Sequence, residues 1–247
     1  MAGIPDRRVS QVVQEDFSDM SREWARTLVA DETLREPVAT LLRELPGEIH
    51  GDHLSAFPPE VRKLVRRFRR IPRAGARLST DLSWLGMTVP PMLEADWQAL
   101  SVGGVSRLAL LPRKSLSELT RFAGAMVCRS MVAAVVRREE VAALLEFLGA
   151  DAYRFMLRRA PFMHVPVGVS GEGADLPERV TGAGLKVLSA CGRLMTPGLS
   201  ARLALKLPRA YAEASEWTAG ADIDRIWDWM KRMVIREALP SWTAIFN

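Results

Sequence analysis

Residues 115–128 read SLSELTRFAGAMVC and residues 135–149 read VVRREEVAALLEFLG, and these two stretches decide the fold. In the first, Leu119, Phe122, Ala123, Met126 and Val127 recur at steps of three and four, the spacing that brings side chains to one face of a helix. Ser115 and Glu118 stand at capping-box spacing, so a helix is expected to start there, each side chain satisfying a backbone N–H left unpaired at the start. In the second, Val141, Leu144, Leu145 and Leu148 repeat the pattern and Gly149 supplies the expected left-handed cap. Asp151 is placed to cap a further helix with an inner face of Tyr153, Met156, Leu157 and Ala160, halted by Pro161.

The same spacing extends outward in both directions. Val13, Phe17, Met20, Trp24 and Leu28 line a helix running to about Val29, and a second helix is expected from Glu32 to Glu44, stopped by Pro46-Gly47. Residues 48–55 read as loop. Pro58-Pro59-Glu60 starts a helix with Val61, Leu64, Val65, Phe68 and Ile71 on its apolar side, and Pro72 ends it. Residues 73–91 are irregular, with Leu82, Trp84, Leu85 and Met87 apolar enough to pack down. Residues 164–175 form a glycine-rich loop, followed by helices from about Pro177 to Leu194 and Leu199 to Leu205. Ile223, Ile226, Trp227, Met230, Met233 and Val234 face one way on the next helix, with Asp222 and Asp224 at its start and Lys231, Arg232 and Arg236 toward its end. Pro240 breaks it, and Trp242, Ile245 and Phe246 are expected to dock back on the core. Strand-like alternation is nearly absent. The expectation is an all-α, irregular multi-helix globular protein with short loops and few or no strands, divided into a 1–105 N-terminal helical region and a 106–247 helical core.

The chain has 247 residues, enough to bury roughly 75% of the surface its unfolded form exposes. It is 48% hydrophobic and 26% charged, which excludes the polar, charge-rich profile of a disordered protein. Cys128 and Cys191 lie among apolar or small residues, so they are expected to be buried free thiols in a reducing compartment. The N-terminus lacks the apolar core of a secretory signal, and no apolar run approaches the ~20 residues that span a bilayer. The expected location is the cytoplasm, with no integral membrane segment.

A net charge of +5 and a pI near 9.7 raise the question of where the bases sit. Between Val61 and Thr80 stand Arg62, Lys63, Arg66, Arg67, Arg69, Arg70, Arg73 and Arg77 with no acid, which leaves about −3 for the rest of the chain. The basicity is local. Arg62, Arg66, Arg67, Arg69 and Arg70 are therefore candidate partner contacts. Their helix is either an ordinary amphipathic helix with a solvated arginine face or a docking surface for anionic lipid, nucleic acid or an acidic patch on a protein. Among the docking readings the protein is favoured, because a nucleic-acid binder would interleave aromatics for stacking, and Phe68, on the apolar side, is the one aromatic here. Trp229 falls off the Ile226/Trp227/Met230 face. It is either an exposed interface anchor, and so a further candidate, or inserted against another element.

The motifs of catalysis are missing. His50, His53 and His164 are scattered, and His50-x-x-His53 reads as a solvated loop and not as a metal site. Gly168-Val-Ser-Gly171-Glu-Gly173 lacks the Gly-Lys-Ser/Thr of a phosphate-binding loop, and no nucleophile elbow occurs. Arg137-Arg-Glu-Glu140 reads as a solvated helix start. No catalytic residue, metal ligand or cofactor is assigned, and the chain is expected to be non-catalytic.

The block Ser106-Arg-Leu-Ala-Leu-Leu-Pro112, the stretches 116–128, 135–149 and 153–161, Leu203-Ala-Leu-Lys-Leu-Pro208, and the closing Ala238-Leu-Pro-Ser-Trp-Thr-Ala-Ile-Phe-Asn247 share an order of apolar and proline positions. In that order and spacing the chain resembles the central region of the SctK proteins, the group that includes YscK and PscK. The resemblance covers about the last 140 residues, whereas the first hundred, basic helix included, match poorly. It implies a helical, non-enzymatic cytoplasmic adaptor of the type III secretion sorting platform, a virulence apparatus, peripheral to the inner membrane. The implied partners are the SctQ-type pod protein, the cytoplasmic domain of the SctD-type inner-membrane ring protein and the SctL-type stator protein, with no nucleic acid. The alternative is a basic helical module that binds nucleic acid or an anionic membrane surface.

Overall fold

The structure, a computed structural model, describes residues 19–43, 45–55, 57–68, 90, 92–159, 175–214 and 223–246. Among the described residues every regular element is helical and no strand occurs, so the fold is all-α. The chain divides into two compact units. The first combines the part up to Arg113 with Met195–Pro208 and with the residues from Ala244 on, and the second combines Lys114–Leu194 with Arg209–Thr243. The expectations for residues 13–18, 69–89 and 160–174 lie outside the described residues, as does that for Asp222.

In the first unit, the Asp19–Ala30 and Glu32–Arg43 helices are joined through Asp31 and stabilise each other's ends. The Asp31 carboxylate accepts the Thr33 backbone N–H at 2.8 Å and the Thr33 hydroxyl at 2.7 Å, which caps the second helix and holds the carboxyl below the usual range. Arg35 Nε donates to the Val29 carbonyl at 3.0 Å and closes the first. Leu28, Leu34, Val38 and Leu41 are buried, together with Trp97 and Leu100 of the Glu94–Val102 helix and Leu108 and Leu110 of the Gly104–Leu110 3-10 turn. Each such side chain contributes about 2 kcal/mol on burial. The Glu32–Arg43 helix ends before Pro46-Gly47 as expected, but residues 48–55 are not simply a loop. Instead Leu45–Glu48 and Gly51–Ser55 form two short helices, because Leu45 and Ile49 make a small core with Leu205, under Leu54 and Phe57. Pro59 does start the Pro59–Phe68 helix. The Pro197–Lys206 helix and the tail supply Leu199, Leu203, Leu205, Ile245 and Phe246 to this unit, so the tail docks as its apolar residues require.

In the second unit, the Arg113–Val127 helix buries Leu119, Phe122, Ala123, Met126 and Val127, the stripe read from the sequence. Its start differs. The helix begins two residues before Ser115, which is buried inside the first turn, and its first residue, Arg113, still belongs to the first unit, where the Glu48 carboxylate takes its backbone N–H at 2.5 Å. A cap from a distant residue thus replaces the local capping box. Arg138–Leu148 buries Leu144 and Leu148, and Gly149 follows at φ 83°, its N–H bonded to the Leu145 carbonyl at 2.9 Å. The next helix, Ala150–Arg159, places Asp151 in its first turn, paired with Arg154 at 3.2 Å, and not at the cap. Its inner face is Ala152, Phe155 and Met156, whereas Leu157 is exposed. The Phe155 ring meets Phe122 at 5.1 Å, and this pair turns the helix away from the expected register.

Leu176–Gly192 is the longest helix among the described residues, capped by Asp175, whose carboxylate accepts the Glu178 N–H at 2.8 Å. It crosses the Arg113–Val127 helix backbone to backbone at Gly124 and Gly184. The Ala210–Ala214 and Ile223–Trp229 helices pack on it, and the latter runs into a π-helical stretch, Met230–Ile235.

Candidate partner-binding surfaces

The Pro59–Phe68 helix packs on the Leu45–Glu48 helix, which is only four residues long and covers a single stripe. Val65 is buried, and Val61 and Arg62 are half-buried. Leu64, expected on the apolar side, is 50% exposed and stands among the exposed Glu60, Lys63 and Arg67. No ion pair reaches Lys63 or Arg67 among the described residues. Arg62 Nε is buried without a hydrogen-bond partner. The Arg66 side chain, Arg69 and Arg70 lie outside the described residues.

Trp229 takes the inserted position, 8% exposed, with its indole N–H unpartnered. Ile226, Trp229 and Met230 form the buried stripe and Trp227 is half-buried beside it, a face turned from the expected one. The π stretch that follows adds a residue to each turn, which breaks the 3.6-residue phase assumed through Met233 and Val234.

A pocket of about 360 Å³ opens in the second unit, with Glu118, Arg121, Phe122, Glu146, Asp151 and Ala238 among its lining. Arg121 donates through Nη1 to the Phe147 carbonyl at 2.9 Å. The lining holds no histidine, serine, cysteine or lysine, so the pocket offers no nucleophile with an adjacent base. No cluster of three or more metal-binding side chains occurs among the described residues. Cys128 and Cys191 are buried free thiols, pushed up by burial to about 11 and about 12.

The partners of several buried or half-buried polar side chains of the first unit were not legible in the sequence. His53 is buried and not solvated: its Nε2 lies 2.9 Å from the Leu207 carbonyl and 3.2 Å from that of Ala204, so with the proton on Nε2 it closes the end of the Pro197–Lys206 helix. His50 stays half-exposed, with its pKa lowered by desolvation despite Asp52 at 3.4 Å. Lys206, 1% exposed, donates through Nζ to the carbonyls of Ala109 at 2.7 Å and Leu111 at 2.9 Å, and burial pushes it down to about 8 against the opposing pull of Glu48. Arg202 donates to the Pro90 and Gly198 carbonyls, each at 2.9 Å. Arg107 grips the carbonyls of Leu100, Ser101 and Ile245 with three separate nitrogens. Asp96 accepts the Leu93 N–H at 2.7 Å and the Thr196 hydroxyl at the start of the Pro197–Lys206 helix. The three cations and the histidine are thus spent on main-chain carbonyls inside the unit. A charged residue inside an apolar run, such as Lys206 in Leu203-Ala-Leu-Lys-Leu207, is the one sequence sign of this.

No helix among the described residues is long and apolar enough to cross a membrane. Comparison with curated proteins and with solved structures gives no match. A family model described as YOP proteins translocation protein K (YscK) matches residues 32–242. The match starts with the Glu32–Arg43 helix and includes the basic helix, so the family pattern reaches well into the first hundred residues, further than the motif blocks alone suggested. Since it spans most of the sequence, the chain belongs to the YscK family of type III secretion proteins.

Proposed function

We propose that this protein is a non-enzymatic adaptor of the type III secretion sorting platform. It joins the SctQ-type pods to the cytoplasmic domain of the SctD-type inner-membrane ring protein, beside the SctL-type stator protein, at the cytoplasmic face of the inner membrane. Membership of the YscK family carries this reading, because that family belongs to the secretion system and is not a known enzyme family. The chemistry of the described residues supports it: the buried cations and histidine are occupied by backbone carbonyls, and the pocket has no reactive pair. An adaptor works through buried apolar anchors and charge complementarity, neither of which needs such a pair. The test is co-expression with tagged SctQ-type protein and, separately, with the SctD-type cytoplasmic domain. Retention of the chain by both is expected, and loss of either under native conditions sinks the reading.

A further inference from the structure

The solvent face of the Pro59–Phe68 helix is unlike an ordinary hydrated face. Lys63, Leu64 and Arg67 are neighbours there at steps of one, three and four, and the leucine at the centre is 50% exposed. Solvation favours a polar residue at that position, and docking favours leucine. Neither flanking cation forms an ion pair among the described residues; Glu60, one turn before Lys63, is the single acid of the helix, and every charged residue from 61 to 80 is basic. The described part of the face therefore pairs an excess of positive charge with an exposed apolar side chain.

We infer that this face docks an acidic protein segment, one that places carboxylates around a small apolar notch for Leu64. Charge complementarity selects the occupant's sign, and the geometry selects its class. A membrane-surface helix must turn a broad apolar face to the lipid, but here Val65 is buried and Val61 half-buried in the unit's own core, which leaves Leu64 as the one exposed large apolar side chain among the described residues of the helix. A single-stranded nucleic acid needs exposed rings for its bases, and the described solvent face of this helix has none. An acidic helix or strap on a protein needs only what is present: cations at fixed spacing and an anchor between them. This deepens the adaptor reading by giving one of its contacts a chemistry, and it rests on that reading only for which protein supplies the segment.

The experiment titrates the full chain into a labelled synthetic amphipathic helix whose glutamates surround leucines, read by fluorescence anisotropy at low and at physiological salt. Three variants are compared: Lys63→Glu with Arg67→Glu, Leu64→Gln, and Arg137→Glu with Arg138→Glu as a charge-matched control on exposed residues of the second unit. Far-UV circular dichroism confirms that each variant is folded. The inference expects the first variant to bind about tenfold more weakly, Leu64→Gln about threefold more weakly, the control to match the unaltered chain, and added salt to weaken every complex. Equal loss in the control would mean non-specific attraction, and no loss in Leu64→Gln would mean charge alone; either overturns the inference. So does stronger retention of the unaltered chain on phosphatidylserine vesicles or duplex DNA, abolished by the Lys63/Arg67 reversal. The peptide is not a secretion component, so a negative result here leaves the adaptor reading standing, and failed capture of the platform proteins leaves this surface standing.

Discussion

Gly124 lies against the backbone of Val180: a Cβ at Gly124 would stand 2.7 Å from the Val180 carbonyl carbon and closer still to its oxygen. The contact is reciprocated four residues along each helix, where a Cβ at Gly184 would meet the Thr120 carbonyl in the same way. At such a crossing main chain rests on main chain, and the neighbour that would have to yield is a helix and not a flexible side chain.

Alanine at either glycine should therefore force the helices apart. Gly124→Ala and Gly184→Ala are each expected to cost about 3 kcal/mol or more, read from urea unfolding. Gly182 provides the contrast, since a Cβ there would meet nothing within 4 Å. Gly182→Ala should raise stability by about 0.5–1 kcal/mol through helix propensity alone. Similar effects at all three positions would refute the close crossing.

Asp96 and Gly198 make a second test of tight packing. The Asp96 carboxylate holds the start of the Pro197–Lys206 helix through Thr196, and a Cβ at Gly198 would collide with it. Asp96→Asn keeps the shape and removes the charge, and should cost about 2 kcal/mol. Gly198→Ala should cost as much by displacing the carboxylate. The double variant should cost less than the sum of the two, because both damage one contact.

Lys206 gives a pH signature. Its ordinary pKa of 10.5 falls to about 8 in the folded protein, so between these values the unfolded chain holds more protons than the native one. Stability should then rise with pH from about 8 to about 10.5, by about 3 kcal/mol from this group, and the gain is lost as pH falls back through 8. Denaturant midpoints across that range, compared between the protein and Lys206→Met, isolate the effect. Parallel curves for the two would exclude it.

The thiols give a chemical readout. Burial and their raised pKa values predict that Cys128 and Cys191 do not react with Ellman's reagent at pH 8 in the native state, and that both react in concentrated guanidinium. Rapid native modification of either would contradict its placement.

What the sequence revealed and what it hid divide along the range of each interaction. The Leu119-to-Val127 stripe was readable because a helix face is written in residues three and four apart. The start of that helix was not, because Glu48, far back in the chain, takes the Arg113 N–H and the helix begins two residues before Ser115. His53 and Lys206 were hidden for a related reason: their partners are carbonyls of Leu207, Ala109 and Leu111, and main-chain carbonyls carry no residue-type signature. Leu64 was misplaced because its exposure depends on the shortness of the Leu45–Glu48 helix beneath, a tertiary fact. Of the candidate surface, the charge was legible and the exposed anchor within it was not.

The three-part construction of the first unit makes its folding a long-range event. Its N-terminal helices meet Pro197–Lys206 and the residues from Ala244 on only after two long stretches of chain are looped back, and each closure costs entropy before any contact repays it. Until Arg107 receives the Ile245 carbonyl and Phe246 is buried, the core of this unit stays incomplete. The pace of its refolding from denaturant is therefore set by non-local closure and not by how fast its helices wind.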